Sequence, residues 1–252
     1  MKKGRFIIFL LCVSLVGNAQ NLLNDQGLRT GNWKGFYGDT LLKYEAYFEN
    51  GKPVGLMKRY DTSGKLSATM YFYAGSERCL AKLYSPKGNL KAEGVYDGQS
   101  KDSTWKYFSP DGSLRMKEEY ENGQLAGTSV TYYPSGSVSQ ELSYRSNKKE
   151  GPWIQYFENG DTMLRANYAD GGLNGKYEAF YQGGRKQISG SYDRDLKDGD
   201  WIYFDEDGKQ VSVLHYIDGD LLNPEELLEK YEMFIKKIEE NTGNFPDPAL
   251  AQ

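Results

Sequence analysis

The residue types that commonly carry chemistry are scarce in this sequence and are not grouped. Its single histidine, His215, has no cysteine or second histidine near it along the chain. The acidic run Asp205 to Asp207 precedes Gly208, but it lacks the ligand spacing of a calcium loop. The glycines recur at hairpin spacing, and none opens a phosphate-binding loop before a helix. The sequence therefore predicts no catalytic residue, no cofactor and no metal site.

Four lysines recur at intervals of 24 residues and form a candidate interaction site. A regular repeat fold would align them in a ladder, which an anionic surface could contact. The chain as a whole has a net charge of −4, which argues against general attraction to nucleic acid or anionic lipid. The lysines are Lys34, Lys58, Lys82 and Lys106.

Aromatic residues follow the same 24-residue period, which indicates a repeat architecture. Eight repeats begin at residues 31, 55, 79, 103, 127, 151, 175 and 199, and the first residue of each is position 1. Positions 6 and 18 are aromatic in every repeat. We interpret both columns as contacts between repeats, with stacking of sugars or peptides as the alternative. Position 6 holds Phe36, Tyr60, Tyr84, Phe108, Tyr132, Tyr156, Phe180 and Phe204, and position 18 holds Phe48, Phe72, Tyr96, Tyr120, Tyr144, Tyr168, Tyr192 and Tyr216.

Two strands are predicted in each repeat. Positions 11 to 18 form the clearer strand, in which residues alternate between one packed face and one wetter face, the period of a β-strand. The packed face often carries a small residue, such as Gly94, Ala166 or Gly190, and we expect the ring of a neighbouring strand to approach it. Positions 2 to 7 form the other strand, with tryptophan at position 3 in four repeats. Strict alternation separates positions 3 and 6, so either both faces are partly covered or the strand bulges.

Turn residues separate these strands and complete the fold prediction. Position 10 is glycine in seven repeats, and pairs such as Asn50-Gly51 and Asp170-Gly171 supply the positive φ that tight hairpins need. We predict a mainly β fold, an elongated antiparallel meander of about 16 strands. Its eight 24-residue β-hairpin repeats occupy residues 31–222, after an N-terminal half-repeat at residues 20–30.

The two ends of the chain differ from the repeats. Residues 1–19 combine basic residues, an apolar run and a small-residue cleavage site, which predicts a signal peptide. Its removal changes the net charge from −4 to −7 and leaves Cys79 as the one cysteine, without a disulfide partner. Residues 223–242, with Asn223 as the N-cap residue, are predicted to form an amphipathic helix that caps the last hairpin, or else docks a partner. Residues 243–252 are predicted to be a flexible tail.

The repeat consensus resembles the MORN repeat (membrane occupation and recognition nexus). The likeness is greatest to the bacterial variant found in secreted repeat proteins and in antitoxin-like proteins. It extends over residues 25–219 and implies the same β-hairpin fold. In the sixth repeat it rests on Gly151, Trp153, Tyr156, Gly160, Tyr168 and Gly171.

These observations favour a noncatalytic exported scaffold that mediates protein–protein interaction in the cell envelope, in the periplasm or after secretion. The protein partner is unidentified, and we expect a monomer or weak oligomer. Recognition of a lipid or glycan surface is the alternative, although the net negative charge disfavours an anionic membrane surface. The family resemblance alone adds a third hypothesis, that the protein neutralises a toxin.

Overall fold

A computed structural model describes residues 20–226 and residue 229, and these residues form a mainly β fold. Within them, twenty strands build an open antiparallel meander, which confirms the predicted fold class. The strands are β1 (Leu22–Leu23), β2 (Arg29–Tyr37), β3 (Leu41–Glu49), β4 (Lys52–Tyr60), β5 (Leu66–Phe72), β6 (Arg78–Tyr84), β7 (Leu90–Asp97), β8 (Ser100–Phe108), β9 (Leu114–Glu121), β10 (Gln124–Leu125), β11 (Gly127–Tyr132), β12 (Val138–Arg145), β13 (Lys148–Tyr156), β14 (Thr162–Ala169), β15 (Gly172–Leu173), β16 (Gly175–Phe180), β17 (Lys186–Asp193), β18 (Leu196–Phe204), β19 (Gln210–Ile217) and β20 (Asp220–Leu221).

The chain divides into two compact units, one ending at Cys79 and the other beginning at Leu80. In the first unit, β1 to β5 pair in succession. In the second unit the same succession runs from β7 to β9, on through β11 to β14, and then through β16 to β19. The strand count exceeds 16 because β1 precedes the repeats and β20 is a short strand at the end of the eighth repeat. In addition, a single residue separates β10 from β11 and β15 from β16.

Seven of the eight repeats open with a residue in the left-handed region of backbone space, and the exception is the third, which opens with the buried Cys79. Gly151 has a φ of 95°, and the pairing of β12 with β13 shifts register between Leu142 and Tyr144, beside it. The left-handed residue produces a bulge, and glycine accepts this conformation without steric cost. Ser103 keeps the conformation with a φ of 56° although it replaces the glycine. The substitution therefore leaves the local bulge geometry in place.

The predicted turns form as expected. Asn50 and Gly51 both have positive φ, at 47° and 83°, which is the signature of a type I′ hairpin turn. At the other end of the hairpin, the glycine at position 10 ends a three-residue loop. In the fifth repeat, for example, Gly136 N–H donates to the Tyr133 carbonyl over 2.9 Å, and Tyr133 N–H donates to Ser137 over 2.9 Å.

The two faces of the sheet have different compositions. The aromatic face carries positions 3, 14, 16 and 18, and it holds the most buried rings: Trp105 is fully buried and Trp201 is 2% exposed. Alternation along the strands places positions 2, 4, 6, 15 and 17 on the opposite face, which we call the mixed-charge face. Positions 3 and 6 therefore lie on opposite faces, and both faces are partly covered. A bulge does occur, and in β13 and β14 it shifts the register between Gln155 and Tyr156.

Small residues on the aromatic face make room for tryptophan. A methyl group added to Gly94 would overlap the indole of Trp105, and one added to Gly190 would overlap the indole of Trp201. Both glycines lie at position 16, across from rings of the next repeat. The expectation that small residues admit a neighbouring ring is confirmed at these two sites.

Asparagine side chains cover the backbone at both ends of the meander. At the beginning, Asn21 accepts a hydrogen bond from Lys34 N–H over 2.7 Å and donates one to the Lys34 carbonyl over 3.0 Å. At the other end, Asn223 accepts from His215 N–H over 2.7 Å and donates to the Val213 carbonyl over 2.8 Å. An amide side chain here replaces the strand that would otherwise pair with the exposed edge.

The predicted C-terminal helix begins where expected, since residues 224–226 and 229 are helical. Asn223 was predicted to cap this helix with its side chain, but that side chain binds β19 instead. The reason is geometric: the helix starts against the edge of β19, and the backbone groups of that edge form hydrogen bonds with the Asn223 amide. The signal peptide at residues 1–19, the tail at 243–252 and the helix beyond 226, apart from residue 229, lie outside the described residues.

Replacing Gly190 with alanine tests the contact between ring and backbone. Gly190→Ala should lower the free energy of unfolding by about 1–3 kcal/mol, because the Trp201 indole leaves no room for a methyl group. Ser189→Ala, one residue away on the opposite face, should change it by less than about 0.5 kcal/mol. Urea unfolding followed by tryptophan fluorescence measures both. An unchanged midpoint for Gly190→Ala would contradict the packing described.

Candidate interaction surfaces

The position 18 rings belong to stacks on the aromatic face. Tyr96 meets Trp105 edge-on with ring centroids 4.8 Å apart, and Tyr192 meets Trp201 at 5.0 Å. Phe48 lies 6.2 Å from Trp33 in the same manner. Edge-to-face pairs of this kind add stability beyond the area they bury. Five rings of the position 18 column thus pack against tryptophans at position 3, which were not included among the predicted packing residues.

Cations extend each tryptophan cluster, and sequence reasoning missed them as well. Lys197 Nζ lies 4.4 Å from the centroid of the Trp201 ring, and Lys101 Nζ lies 4.9 Å from that of Trp105. Such cation–π contacts are each worth about 0.5–2 kcal/mol. A signal was present in the sequence: each tryptophan follows a basic residue by four positions, in the pairs Arg29 and Trp33, Lys101 and Trp105, Lys149 and Trp153, and Lys197 and Trp201.

The cluster around Lys101 also contains polar partners. Its ammonium group donates to Tyr107 Oη over 2.6 Å and to Tyr120 Oη over 3.2 Å, and Tyr120 donates to Glu118 over 2.7 Å. Burial lowers the pKa of Lys101, raises that of Tyr107, and raises the pKa of Tyr120 to about 12. The Lys101 ammonium group thus lies among aromatic rings of its own sheet, and its charge stabilises the contact between them.

The four position 4 lysines do not form an uninterrupted basic ladder. In the first unit, Lys58 Nζ lies 3.2 Å from a carboxylate oxygen of Glu45. A hydrogen bond from Tyr60, followed by the charges of Lys58 and Lys34, lowers the pKa of Glu45. In the second unit, Glu93 lies 3.9 Å from Lys82 and 3.5 Å from Lys106. Carboxylates thus alternate with the lysines, which weakens attraction to an anionic surface.

Four of the position 6 rings contact a charged residue at position 15 of the preceding repeat. Where that residue is glutamate, a tyrosine hydroxyl donates to it, as Tyr60 does to Glu45 over 2.8 Å. Where it is basic, the cation lies over the ring, as Lys117 does at 5.5 Å from the Tyr132 centroid. The column thus joins neighbouring repeats on the mixed-charge face. The same two modes recur for Tyr156 with Glu141 and for Phe180 with Arg165.

Exposed apolar side chains collect on the mixed-charge face of the first unit. Tyr47 is 44% exposed, and Leu56 and Tyr71 are each 51% exposed. Leu56 and Tyr71 are direct cross-strand partners in β4 and β5, and Tyr47 lines a cleft of about 360 Å³ together with Leu56. We call these three residues the Tyr47 patch. Position 17, aromatic in the first two repeats, is polar in the last four, where it is Ser143, Asn167, Ser191 and His215.

His215 and the acidic run at Asp205 to Asp207 make contacts that serve the fold. His215 Nδ1 lies 2.6 Å from Asp200 Oδ1, and both side chains are largely exposed. Asp205 accepts hydrogen bonds from the backbone N–H groups of Asp207 and Lys209, so this acidic run forms the expected turn. Among the described residues, no group of three or more histidine, cysteine or acidic side chains could hold a metal ion.

The comparisons with known proteins agree with the repeat pattern. Four segments match the family model of the MORN repeat variant, at residues 53–73, 101–122, 125–146 and 149–170. Two of these segments begin at Lys101 and Lys149, the basic residues that precede tryptophans. No curated protein matches the chain.

Over the part of the chain that the structure describes, none of the helical residues forms a span long and apolar enough to cross a bilayer.

The buried tyrosines predict loss of stability in alkali. Burial raises the pKa of Tyr107, Tyr120, Tyr177 and Tyr192, so above pH 10 the unfolded chain releases protons that the folded chain retains. Stability should therefore fall as pH rises from 10 towards 12. The lowered pKa of Lys101 acts in the opposite sense, but one lysine opposes four tyrosines.

Urea unfolding at pH 8, 10 and 11, with tyrosinate absorbance read at 295 nm, measures this dependence. Tyr107→Phe should reduce it, because one raised pKa is removed. A urea midpoint that stays constant from pH 8 to pH 11 would contradict the burial of these hydroxyl groups.

Proposed function

Because this chain is a MORN repeat protein, we propose that it is a noncatalytic scaffold that binds a protein partner through the Tyr47 patch. Repeats of this family generally mediate contacts with proteins or membranes. The observation that carries the proposal is the exposure of Tyr47, Leu56 and Tyr71 on one face of the first unit. Contiguous exposed apolar side chains on a soluble surface mark interaction sites.

The surroundings of the patch favour a protein over a membrane. Lys58 and Glu45 border the cleft beside Leu56, and they form an ion pair at 3.2 Å. Lys34 also lines the cleft, so its rim carries charges of both signs. A mixed-charge rim around aromatic anchors is typical of protein–protein interfaces, in which tyrosine is enriched. An anionic lipid surface would instead require basic side chains without carboxylate partners. The partner expected is a protein surface with apolar side chains and charges of both signs.

Exchanging the patch for the corresponding residues of repeat five tests the surface. In that repeat, Thr128 and Ser143 take the places of Leu56 and Tyr71 and are likewise cross-strand partners. The double variant Leu56→Thr with Tyr71→Ser should lose at least about tenfold in affinity for the partner, because half-exposed aromatic and aliphatic anchors dominate such interfaces. Its unfolding midpoint should change little. The matched control, Thr128→Ala with Ser143→Ala, should bind as the wild type does.

The partner is first isolated by crosslinking in the native envelope and then titrated against both variants. Equal affinity of the patch variant and the control would refute the surface. Sedimentation with anionic liposomes forms a second arm of the experiment. If liposomes bind the protein and the patch variant abolishes this, lipid recognition replaces the protein-binding proposal.

Export is also part of the proposal and rests on the composition of residues 1–19. We expect the mature protein to begin at Gln20, without a lipid, in the periplasm or the medium. Intact mass of the protein recovered from these fractions gives the N-terminus directly. A mass that includes the first 19 residues would exclude cleavage at this site.

A further inference from the structure

A second site lies in the other unit, between the position 10 turns of repeats three and four. These turns enclose a cleft of about 560 Å³. Its apolar lining includes Pro86 and Leu90 from repeat three, and Phe108 and Pro110 from repeat four. Three basic side chains complete the lining, and no carboxylate belongs to it: Lys87, Lys91 and Arg115.

In this cleft a serine takes the place of a tyrosine that other repeats carry. In three other odd-numbered repeats, a tyrosine at position 7 donates a hydrogen bond to the position 6 carbonyl of the next repeat. Repeat three has Ser85 at this position, so the space that a ring would fill is left open. The tyrosine pairs are Tyr37 with the Tyr60 carbonyl at 3.1 Å, Tyr133 with Tyr156 at 2.7 Å, and Tyr181 with Phe204 at 3.0 Å.

The walls of the cleft are fixed by a bond between the two turns. Asn89 Nδ2 donates to the Pro110 carbonyl over 2.8 Å. Corresponding bonds join the turns of repeats five and six, from Ser137 to the Glu158 carbonyl, and those of repeats seven and eight. The opening at Ser85 is therefore a feature of an ordered turn pair, and it is not produced by separation of the turns.

The equivalent cleft of repeats seven and eight provides an internal comparison. Tyr181 occupies position 7 there, and the lining includes Glu206 and Asp207 in place of prolines and lysines. Its one arginine, Arg185, lies 3.9 Å from Asp207. The two clefts therefore differ in two respects. The cleft beside Ser85 has space for a ring, and no carboxylate in its lining pairs with its basic side chains.

We propose that the Ser85 cleft binds a tyrosine side chain presented by an acidic segment of a partner protein. The ring fills the space left by the serine, and its hydroxyl donates to the Phe108 carbonyl as the internal tyrosines do in their repeats. Acidic residues beside the tyrosine are attracted by Lys87, Lys91 and Arg115. This site stands independently of the Tyr47 patch, since it shares no residue with it.

A peptide titration of the full chain tests the site. The probe is the unlabelled peptide Glu-Asp-Tyr-Glu-Asp, and the comparison peptide has alanine in place of the tyrosine. Amide NMR shifts of residues 85–115 report binding. The tyrosine peptide should shift these residues, while the alanine peptide should bind at least about tenfold more weakly, because it lacks the aromatic anchor.

Ser85→Tyr is the decisive variant, because it supplies the missing ring from the chain itself. It should keep the wild-type melting temperature or raise it, and it should weaken peptide binding at least about tenfold. Ser135→Tyr adds the same ring to an exposed turn elsewhere and should bind like the wild type. Lys87→Ala with Lys91→Ala should weaken binding and reduce its dependence on salt.

Three results would overturn the proposal. The first is the absence of shifts in residues 85–115 at millimolar peptide. The second is equal binding of the tyrosine and alanine peptides, and the third is undiminished binding by a folded Ser85→Tyr variant.

Discussion

The rest of the structure depends on one contact, the indole of a position 3 tryptophan against a small residue on the strand beside it. A sheet face that carries its own rings must bury them against one another, because flat aromatic surfaces left in water give no stability. Trp201 achieves this by lying over Gly190, with Tyr192 and Tyr216 edge-on around it. The left-handed residue at position 1 serves the same contact, because its bulge sets the register in which ring and glycine meet.

A second, longer period is superimposed on the 24-residue repeat from repeat three onward. Odd repeats carry a basic residue such as Lys101 or Lys197 at position 23, and the even repeats that follow them supply the tryptophan. Even repeats instead carry leucine at position 23, as at Leu125, Leu173 and Leu221. The cation lies over the rings of the following repeat, so the contact is made between repeats of different kinds. Each pair of repeats is consequently a more complete packing unit than a single repeat.

Sequence reasoning succeeded where one residue type has one physical reason to be present. Asn50 and Gly51 specify a turn with two positive φ values, and Gly190 specifies a close approach. It was less informative for Lys58, because a column of lysines does not reveal that Glu45 from the adjacent strand lies between them. The prediction that the Asn223 side chain caps the helix was wrong for a similar reason. Whether this side chain binds the helix or the strand edge depends on where the chain folds back. Contacts along a strand are thus readable from the period, whereas contacts across strands require the register.

Residues that depart from the repeat are therefore the informative ones for function. Positions 1, 3, 16 and 18 are restricted by packing, and a substitution there is compensated within the sheet, as Ser103 keeps the left-handed conformation of a glycine. Positions 7 and 17 vary more widely, since serine and tyrosine occur at both, with aspartate also at position 7 and glutamate and histidine at position 17. Ser85 leaves room for a ring in its cleft, and Tyr71 extends a patch, without altering the hairpin that bears them. A repeat fold can in this way separate the residues that hold it together from those that distinguish one partner from another.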